Sequence, residues 1–245
     1  MTDDILLPLL QERGCCADGD CIRSVSLRTT GIAESLLQDR LRGLHPGDAV
    51  RAPSLAYLPG VDGVDLRITM RGPHAERELA RFADAIRAAL SEGIYGTGEA
   101  DLAAVLLDVC RTDGLRLAVA ESCTGGLLGA RLTAVPGSSD VFVGGIIAYA
   151  NEVKVDELGV SHDDLERHGA VSEPVVRQMA VGAQRRFGVP LALAVTGVAG
   201  PGGGTPEKPV GLVWVCAALE GHVEARKVQS WWDRQEVRYR AAQAA

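Results

Sequence analysis

The chain has 245 residues, of which 47% are hydrophobic, 23% charged and only 4% aromatic, and its formal net charge is −7. An acidic chain without clustered lysines and arginines is a poor match for the phosphate backbone, so we expect no nucleic-acid partner. No run reaches the roughly eighteen apolar residues of a membrane span, and the first residues, Met-Thr-Asp-Asp, carry no signal-peptide pattern, so we expect a cytoplasmic protein with no membrane contact.

The first part of the chain predicts a small α+β domain over residues 22–95, after a lead-in at residues 1–21 that shows no clear periodicity and is expected to be poorly ordered. The pattern is clearest in the second half of this domain, where a strand with alternating apolar residues precedes a helix with apolar residues at helical spacing. The elements predicted here cover residues 22–27, 31–44, 54–57, 64–70 and 76–90. Together they indicate a three-stranded sheet with helices on one face.

Residues 93–98, Gly-Ile-Tyr-Gly-Thr-Gly, interrupt this pattern, and we place the domain boundary there. In residues 99–245 strands alternate with helices, which predicts an α/β fold: a layered, mixed and largely parallel sheet flanked by helices, antiparallel at a hairpin near Gly221. Predicted strands cover residues 115–120, 141–149, 191–196, 210–219 and 223–229. Predicted helices cover residues 100–113, 123–133, two short segments after Tyr149, 173–187 and a last segment from Gln235.

The most informative segment is Glu-Ser-Cys-Thr-Gly-Gly at residues 121–126, directly after a predicted strand. The pattern places the Ser122 hydroxyl at the N-terminus of the predicted helix, where serine also serves as an ordinary cap. Two glycines in a first helical turn weaken the helix and favour close approach of a ligand. Free N–H groups near Thr124, Gly125 and Gly126 could then hold an oxyanion or a phosphate.

A serine nucleophile needs a base, and the next strand ends in Tyr-Ala-Asn-Glu-Val-Lys at residues 149–154. A desolvated Lys154 beside Ser122 would serve, as in serine–lysine variants of the catalytic triad. Taken alone, Tyr149 is typical of amphipathic packing and Lys154 of a solvated helix face. Cys123 is an alternative nucleophile if its thiol is ionised.

A third segment, the glycine- and proline-rich residues 196–209, leaves the strand at 191–196 at its C-terminal end, where open α/β sheets bind ligands. It matches neither a Walker A loop nor a dinucleotide fingerprint, and a flexible surface loop is the other interpretation.

Cys15, Cys16 and Cys21 cluster without zinc-ligand spacing, so we expect no metal. Cys110, Cys123 and Cys216 lie in apolar settings typical of small core residues.

Several segments in one order resemble the CinA family. Over residues 100–245 they resemble its C-terminal nicotinamide mononucleotide deamidase domain, and residues 24–95 resemble its middle, KH-type domain. The matching segments are Ala-Glu-Ser-Cys-Thr-Gly-Gly (120–126), Pro-Gly-Ser-Ser (136–139), Tyr-Ala-Asn-Glu-Val-Lys (149–154), His-Gly-Ala-Val-Ser-Glu-Pro (168–174), Thr-Gly-Val-Ala-Gly-Pro (196–201), Glu-Lys-Pro-Val-Gly (207–211) and Arg-Thr-Thr-Gly-Ile-Ala-Glu-Ser (28–35). The family's molybdopterin-binding-like N-terminal domain has no counterpart here, so any pyrophosphatase activity of that domain is expected to be absent.

The resemblance implies an amidohydrolase of pyridine nucleotide salvage that converts nicotinamide mononucleotide and water to nicotinate mononucleotide and ammonia, without a cofactor and as a homodimer. It makes Ser122 the nucleophile and Lys154 its base, with Tyr149 assisting. The implied substrate-binding residues are Thr124, Gly125, Gly126, Thr196, Gly197, Gly200, Gly203 and Gly204. A catalytically weak nucleotide-binding or regulatory module remains an alternative, as does an unrelated phosphate-binding domain if Ser122 and Lys154 lie far apart.

The chain departs from the family pattern in two places. Gly202 stands where some members carry an aspartate, and Trp232-Asp233-Arg234, preceded by Trp231, stands where the family has Gly-Asp-Arg. The Gly-x-x-Gly string at residues 60–63 contains an aspartate and lacks a basic flank, which favours a structural or dimerising role over RNA binding for the first domain.

Overall fold

The computed structural model describes residues 22–44 and 52–245. These residues form two compact units that divide between Ala100 and Asp101. The lead-in expected at residues 1–21, with its three cysteines, lies outside the described residues.

The first unit is an antiparallel sheet in the order β2-β3-β1-β4 with two helices packed on it. Its elements are β1 (Ile22–Thr29), α1 (Glu34–Leu41, continued by a 3-10 turn at Arg42–Leu44), β2 (Ser54–Pro59), β3 (Val64–Arg71), α2 (Ala75–Leu90) and β4 (Ile94–Thr97). The alternation of β3 puts Val64, Leu66 and Ile68 in the core against the helices.

The expected three-stranded sheet is wrong by one strand. The segment taken as an interruption contains β4, which pairs antiparallel with the end of β1. The flanking glycines, Gly93 and Gly98, both have a positive φ and therefore turn the chain at the two ends of this short edge strand. The sequence showed the glycines that turn the chain, but it did not show that the four residues between Gly93 and Gly98 form a strand.

The second unit is a three-layer α/β structure around a mixed sheet in the order β6-β5-β7-β8-β9, which confirms the expected fold class. Its elements are α3 (Leu102–Thr112), β5 (Leu117–Glu121), α4 (Leu127–Thr133), β6 (Phe142–Ile147), α5 (Asn151–Leu158), α6 (His162–His168), α7 (Glu173–Phe187), β7 (Leu191–Gly197), β8 (Leu212–Leu219), β9 (His222–Gln229) and α8 (Arg234–Ala244). The sheet turns antiparallel one strand earlier than expected, between β7 and β8. The residues joining these two strands contain no helix, and parallel strands need a long crossover that is usually helical.

The two faces of this sheet carry side chains of different size. Leu193 and Val195 of β7 face a core shared with α3, α4 and α8, whereas Ala192 and Ala194 face α7. The small side chains fill the space beneath α7. A Cβ at Gly182 of α7 would lie 2.0 Å from the Leu158 carbonyl oxygen, so glycine permits α7 to pack closely on the end of α5.

The parallel strands β5, β6 and β7 bring three chain segments to one edge of the sheet. The Ser122 N–H donates to the Val195 carbonyl at 2.9 Å, and the Ala148 N–H donates to the Glu121 carbonyl at 2.7 Å. These bonds continue the strand pairing beyond β5 and β6, so the polar residues that follow each strand start from adjacent positions.

Within the described residues, no helix has the length and apolar character needed to cross a bilayer.

Candidate active site

The residues after β5 form a turn, which we call the nucleophile turn (residues 122–126), before α4 begins at Leu127. The expected helix from residue 123 is therefore wrong in its first turn, and Ser122 does not lie at the helix N-terminus. Gly125 and Gly126 have φ values of 60° and 96°, in the left-handed region that a right-handed helix excludes. The glycines thus separate Ser122 from the helix. The Ser122 hydroxyl forms no hydrogen bond with any described residue.

Glu121 holds this turn to the helix, a role that sequence analysis missed. Its side chain is 1% exposed. One carboxylate oxygen accepts from the N–H groups of Gly126 (2.9 Å) and Leu128 (3.1 Å), and the other accepts from Gly129 (2.8 Å). The buried carboxylate therefore does what an N-cap side chain normally does for the first free N–H groups of a helix.

These contacts change the candidates for stabilising an oxyanion. The Gly126 N–H is bonded to Glu121, and the Gly125 N–H donates to the Ser122 carbonyl at 3.1 Å. Thr124 is fully buried, and among the described residues neither its N–H nor its Oγ1 has a partner. The Cys123 N–H has no described backbone acceptor either. Buried donors without acceptors are rare in folded proteins, so Cys123 and Thr124 carry the two N–H groups of this turn that remain available to a ligand.

Lys154, on α5, is buried to 1% exposure at the same edge of the sheet. Its Nζ donates to the carbonyl oxygens of Ala148 (2.8 Å) and Tyr149 (3.1 Å), and none of the described ion pairs includes it. Burial lowers the pKa of Lys154, while the neighbouring Cys123 and Glu152 act in the opposite direction. Desolvation without a carboxylate partner favours the neutral amine, which is the form that can act as a base.

Cys123, the alternative nucleophile, is 5% exposed. Burial, helped by the negative charge of Glu121, raises the pKa of the Cys123 thiol to about 11, against weaker opposing effects that include Arg238 and Lys154. A thiol with this pKa is protonated at neutral pH and is a poor nucleophile. The environment therefore favours the Ser122 hydroxyl.

A cavity of about 180 Å³ joins the segments that follow the three parallel strands. Five predicted site residues line it, so the structure brings the serine, the lysine and the tyrosine into one cavity: Ser122, Tyr149, Lys154, Thr196 and Gly197. Tyr149 lies two residues beyond β6, with its side chain 62% exposed. The Thr196 hydroxyl is already used, since it donates to the Ala170 carbonyl at 2.9 Å.

The other predicted substrate-binding residues do not line this cavity. Thr124, Gly125 and Gly126 belong to the nucleophile turn beside it, and Gly203 and Gly204 lie in an exposed loop. Gly200 is connected to the cavity indirectly, because its carbonyl accepts from Arg234 Nη1 at 2.5 Å.

Arg234 and Asn151 are cavity residues that sequence analysis did not select. Arg234 is the first residue of α8, directly after the capping Asp233, and its Nη2 lies 3.4 Å from the Tyr149 hydroxyl. Asn151 is the first residue of α5 and stands between the two residues chosen from its segment. Arg234 lies in the segment that stands where the family has Gly-Asp-Arg, but that segment could not show its contact with Tyr149, which spans 85 residues of sequence.

Comparison with known protein families gives two matches. Residues 99–245 match the CinA C-terminal domain. Residues 24–96 match the damage-inducible protein CinA KH domain.

Individual proteins similar to this chain are also CinA-like proteins. A CinA-like protein of Gemmatimonas aurantiaca is 54% identical over 248 aligned residues, which cover all of this chain and 57% of that protein. A CinA-like protein of Prochlorococcus marinus is 46% identical and is matched over 94% of this chain and 53% of its own length. The chain thus spans little more than half of the curated relatives it matches.

Solved structures show the same likeness. The competence/damage inducible protein CihA from Agrobacterium tumefaciens is 42% identical with a TM-score of 0.57, over 59% of this chain and 88% of that one. The CinA superfamily protein ECK1530/EC0983 from Escherichia coli is 34% identical with a TM-score of 0.57, over 58% of this chain and 83% of that one.

Proposed function

Because the chain belongs to the CinA family, we propose that residues 101–245 form an amidohydrolase that converts nicotinamide mononucleotide and water to nicotinate mononucleotide and ammonia. The observation that carries the proposal is the buried amine of Lys154 in one cavity with the unpartnered hydroxyl of Ser122. A serine hydroxyl becomes an effective nucleophile when a neighbouring base accepts its proton.

The surroundings of Lys154 suit a neutral amine. Such an amine has two N–H bonds and one lone pair, and the two carbonyl oxygens of Ala148 and Tyr149 match the two N–H bonds. The lone pair then occupies a remaining direction around Nζ. An ammonium ion would add a third donor and a charge, and no described carboxylate forms an ion pair with it.

In the proposed reaction Ser122 Oγ attacks the carboxamide carbon while its proton passes to Lys154 Nζ. The carbonyl oxygen becomes an oxyanion, for which the Cys123 and Thr124 N–H groups are the available donors in the nucleophile turn. Collapse breaks the carbon–nitrogen bond, and the proton on Nζ passes to the departing amide nitrogen to give ammonia. A water molecule then attacks the ester carbon and gives a proton to Nζ, which returns that proton to Ser122 Oγ as the ester bond breaks. The acid product loses its remaining proton to solvent and leaves as the carboxylate.

The size and charge of the cavity support a nucleotide substrate held by its reacting end. Cavities that enclose a whole drug-sized ligand usually measure about 300–1,000 Å³, so this cavity of about 180 Å³ suits the carboxamide ring alone. The rest of the nucleotide then extends outward. Arg234 is exposed beside Tyr149 and provides the guanidinium group that a phosphate favours.

The test is ammonia release from nicotinamide mononucleotide by the full chain, with identification of nicotinate mononucleotide as the second product. Nicotinamide riboside, which lacks the phosphate, and the dinucleotide NAD serve as comparison substrates. We expect turnover of the mononucleotide that is absent in Ser122→Ala. Binding of the mononucleotide without ammonia release would refute the amidohydrolase and favour a nucleotide-binding regulatory module.

A further inference from the structure

Arg238 of α8 connects the C-terminal helix to the nucleophile turn. Its Nε donates to the Cys123 carbonyl at 3.1 Å, and its Nη2 donates to the Thr124 carbonyl at 2.7 Å. One guanidinium group therefore binds two successive carbonyl oxygens directly after Ser122. Arg238 is not among the residues that line the cavity.

These two bonds fix the orientation of the intervening peptide group. In a trans peptide the C=O and the following N–H point in opposite directions, and no cis bond occurs in this turn. With the Cys123 carbonyl on Arg238, the Thr124 N–H points away from α8. The next N–H, that of Gly125, is already bonded to the Ser122 carbonyl.

We propose that Arg238 is a positioning residue that fixes the peptide between Cys123 and Thr124, and so holds the two free N–H groups of the nucleophile turn in place as oxyanion donors for Ser122. The inference rests on the proposed serine chemistry and assigns the support of its oxyanion donors to one residue of α8. The charge of Arg238 also polarises that peptide, since a hydrogen bond accepted by a carbonyl strengthens the N–H on the same group as a donor. The charged bonds to Arg238 therefore offset the flexibility that two adjacent glycines give the turn.

The test compares Arg238→Ala with Arg226→Ala, a matched arginine of β9 whose side chain is 73% exposed and pairs with Glu224. Two rates are measured for each protein, with and without millimolar methylguanidinium. One is steady-state ammonia release from nicotinamide mononucleotide, and the other is labelling of Ser122 by a fluorophosphonate, followed by mass spectrometry. Labelling reports on the serine and its oxyanion donor without requiring the proposed substrate.

We expect Arg238→Ala to lower both kcat and the labelling rate by at least about 10-fold. The loss should not exceed the roughly 10²–10³-fold fall in kcat that follows complete removal of one oxyanion donor. KM should stay near the wild-type value, because an interaction made only in the transition state is lost. Methylguanidinium should restore both rates in Arg238→Ala and change neither rate in Arg226→Ala.

An Arg238→Ala protein with wild-type kcat and labelling overturns the inference and leaves the proposed function intact. A loss of activity that methylguanidinium does not restore also overturns it, since disruption of packing alone would cause that. If the wild type is labelled at Ser122 but releases no ammonia, the proposed substrate falls and the labelling rates still decide the role of Arg238. A wild type that shows neither reaction overturns both proposals.

Discussion

Replacing Glu121 by glutamine removes the negative charge of its carboxylate and keeps the shape of the side chain. The carboxylate accepts three backbone N–H groups, from Gly126, Leu128 and Gly129, while it is almost fully buried. A glutamine has one acceptor oxygen and one NH₂ donor in their place. The substitution therefore tests whether this carboxylate holds the nucleophile turn against α4.

The contacts set the size of the effect. The better amide orientation keeps the oxygen on Gly126 and Leu128 and turns the NH₂ toward the Gly129 N–H. That leaves two buried donor groups without an acceptor, the Gly129 N–H and the amide NH₂, at roughly 1–3 kcal/mol each. The two remaining bonds weaken by about 1 kcal/mol each because they lose their charge. Relief of the buried charge offsets part of this loss. We expect the free energy of unfolding to fall by at least about 3 kcal/mol.

Urea unfolding followed by tryptophan fluorescence measures this change in the right part of the chain, since Trp214, Trp231 and Trp232 all lie in residues 101–245. The matched control is Glu207→Gln, an exposed glutamate without a described hydrogen bond or ion pair. The proposed turnover should fall in Glu121→Gln as the turn loosens. A Glu121→Gln protein within about 0.5 kcal/mol of the wild type, the range of an ordinary surface substitution, would refute the capping role.

Ser122→Ala should fold normally and keep less than about a tenth of the wild-type kcat, a barrier increase of more than about 1.4 kcal/mol, whereas Cys123→Ala should stay largely active; the opposite result in the ammonia assay would transfer the role to the thiol. Because burial lowers the pKa of Lys154, activity carried by its neutral form should rise with pH through a single ionisation below the 10.4 of a free lysine, and a flat profile would contradict this. Lys154→Arg should abolish activity and that ionisation together, since arginine keeps its proton; Lys154→Met, which avoids a buried charge, should be equally inactive with a wild-type circular dichroism spectrum. Chelators should leave turnover unchanged, because the described residues bring together no group of three or more His, Cys, Asp or Glu side chains able to hold a metal; loss of activity with EDTA that zinc restores would oppose the serine mechanism.

The sequence was most reliable where a long pattern repeats. Alternating apolar residues in β3 and helical spacing in α2 predicted elements that the structure contains, and the order of strands and helices after residue 99 predicted the α/β fold class. Its weak points were short or locally ambiguous segments. The strand β4 was missed between its two glycines, and α4 was started four residues too early.

The start of α4 shows why local pattern was insufficient. Serine followed by apolar and small residues is a common helix start, and a left-handed glycine cannot be identified from its neighbours. In the structure Gly125 and Gly126 are left-handed, and the capping oxygen comes from Glu121, on the strand before the turn. Thus residues 121–126 identified Ser122 as the candidate nucleophile but wrongly placed it at the N-terminus of the helix.

The sequence by itself determined which segments follow the strands and which of their residues can carry chemistry, because period and residue type are local properties. Only the tertiary structure decided that Lys154 is buried without forming an ion pair with a carboxylate. It also decided that Arg234 lies at the cavity beside Tyr149. Arg238 reaches the Cys123 carbonyl from 115 residues away. Burial and contacts at that sequence separation depend on how the sheet and helices pack, and no local pattern of residues encodes them.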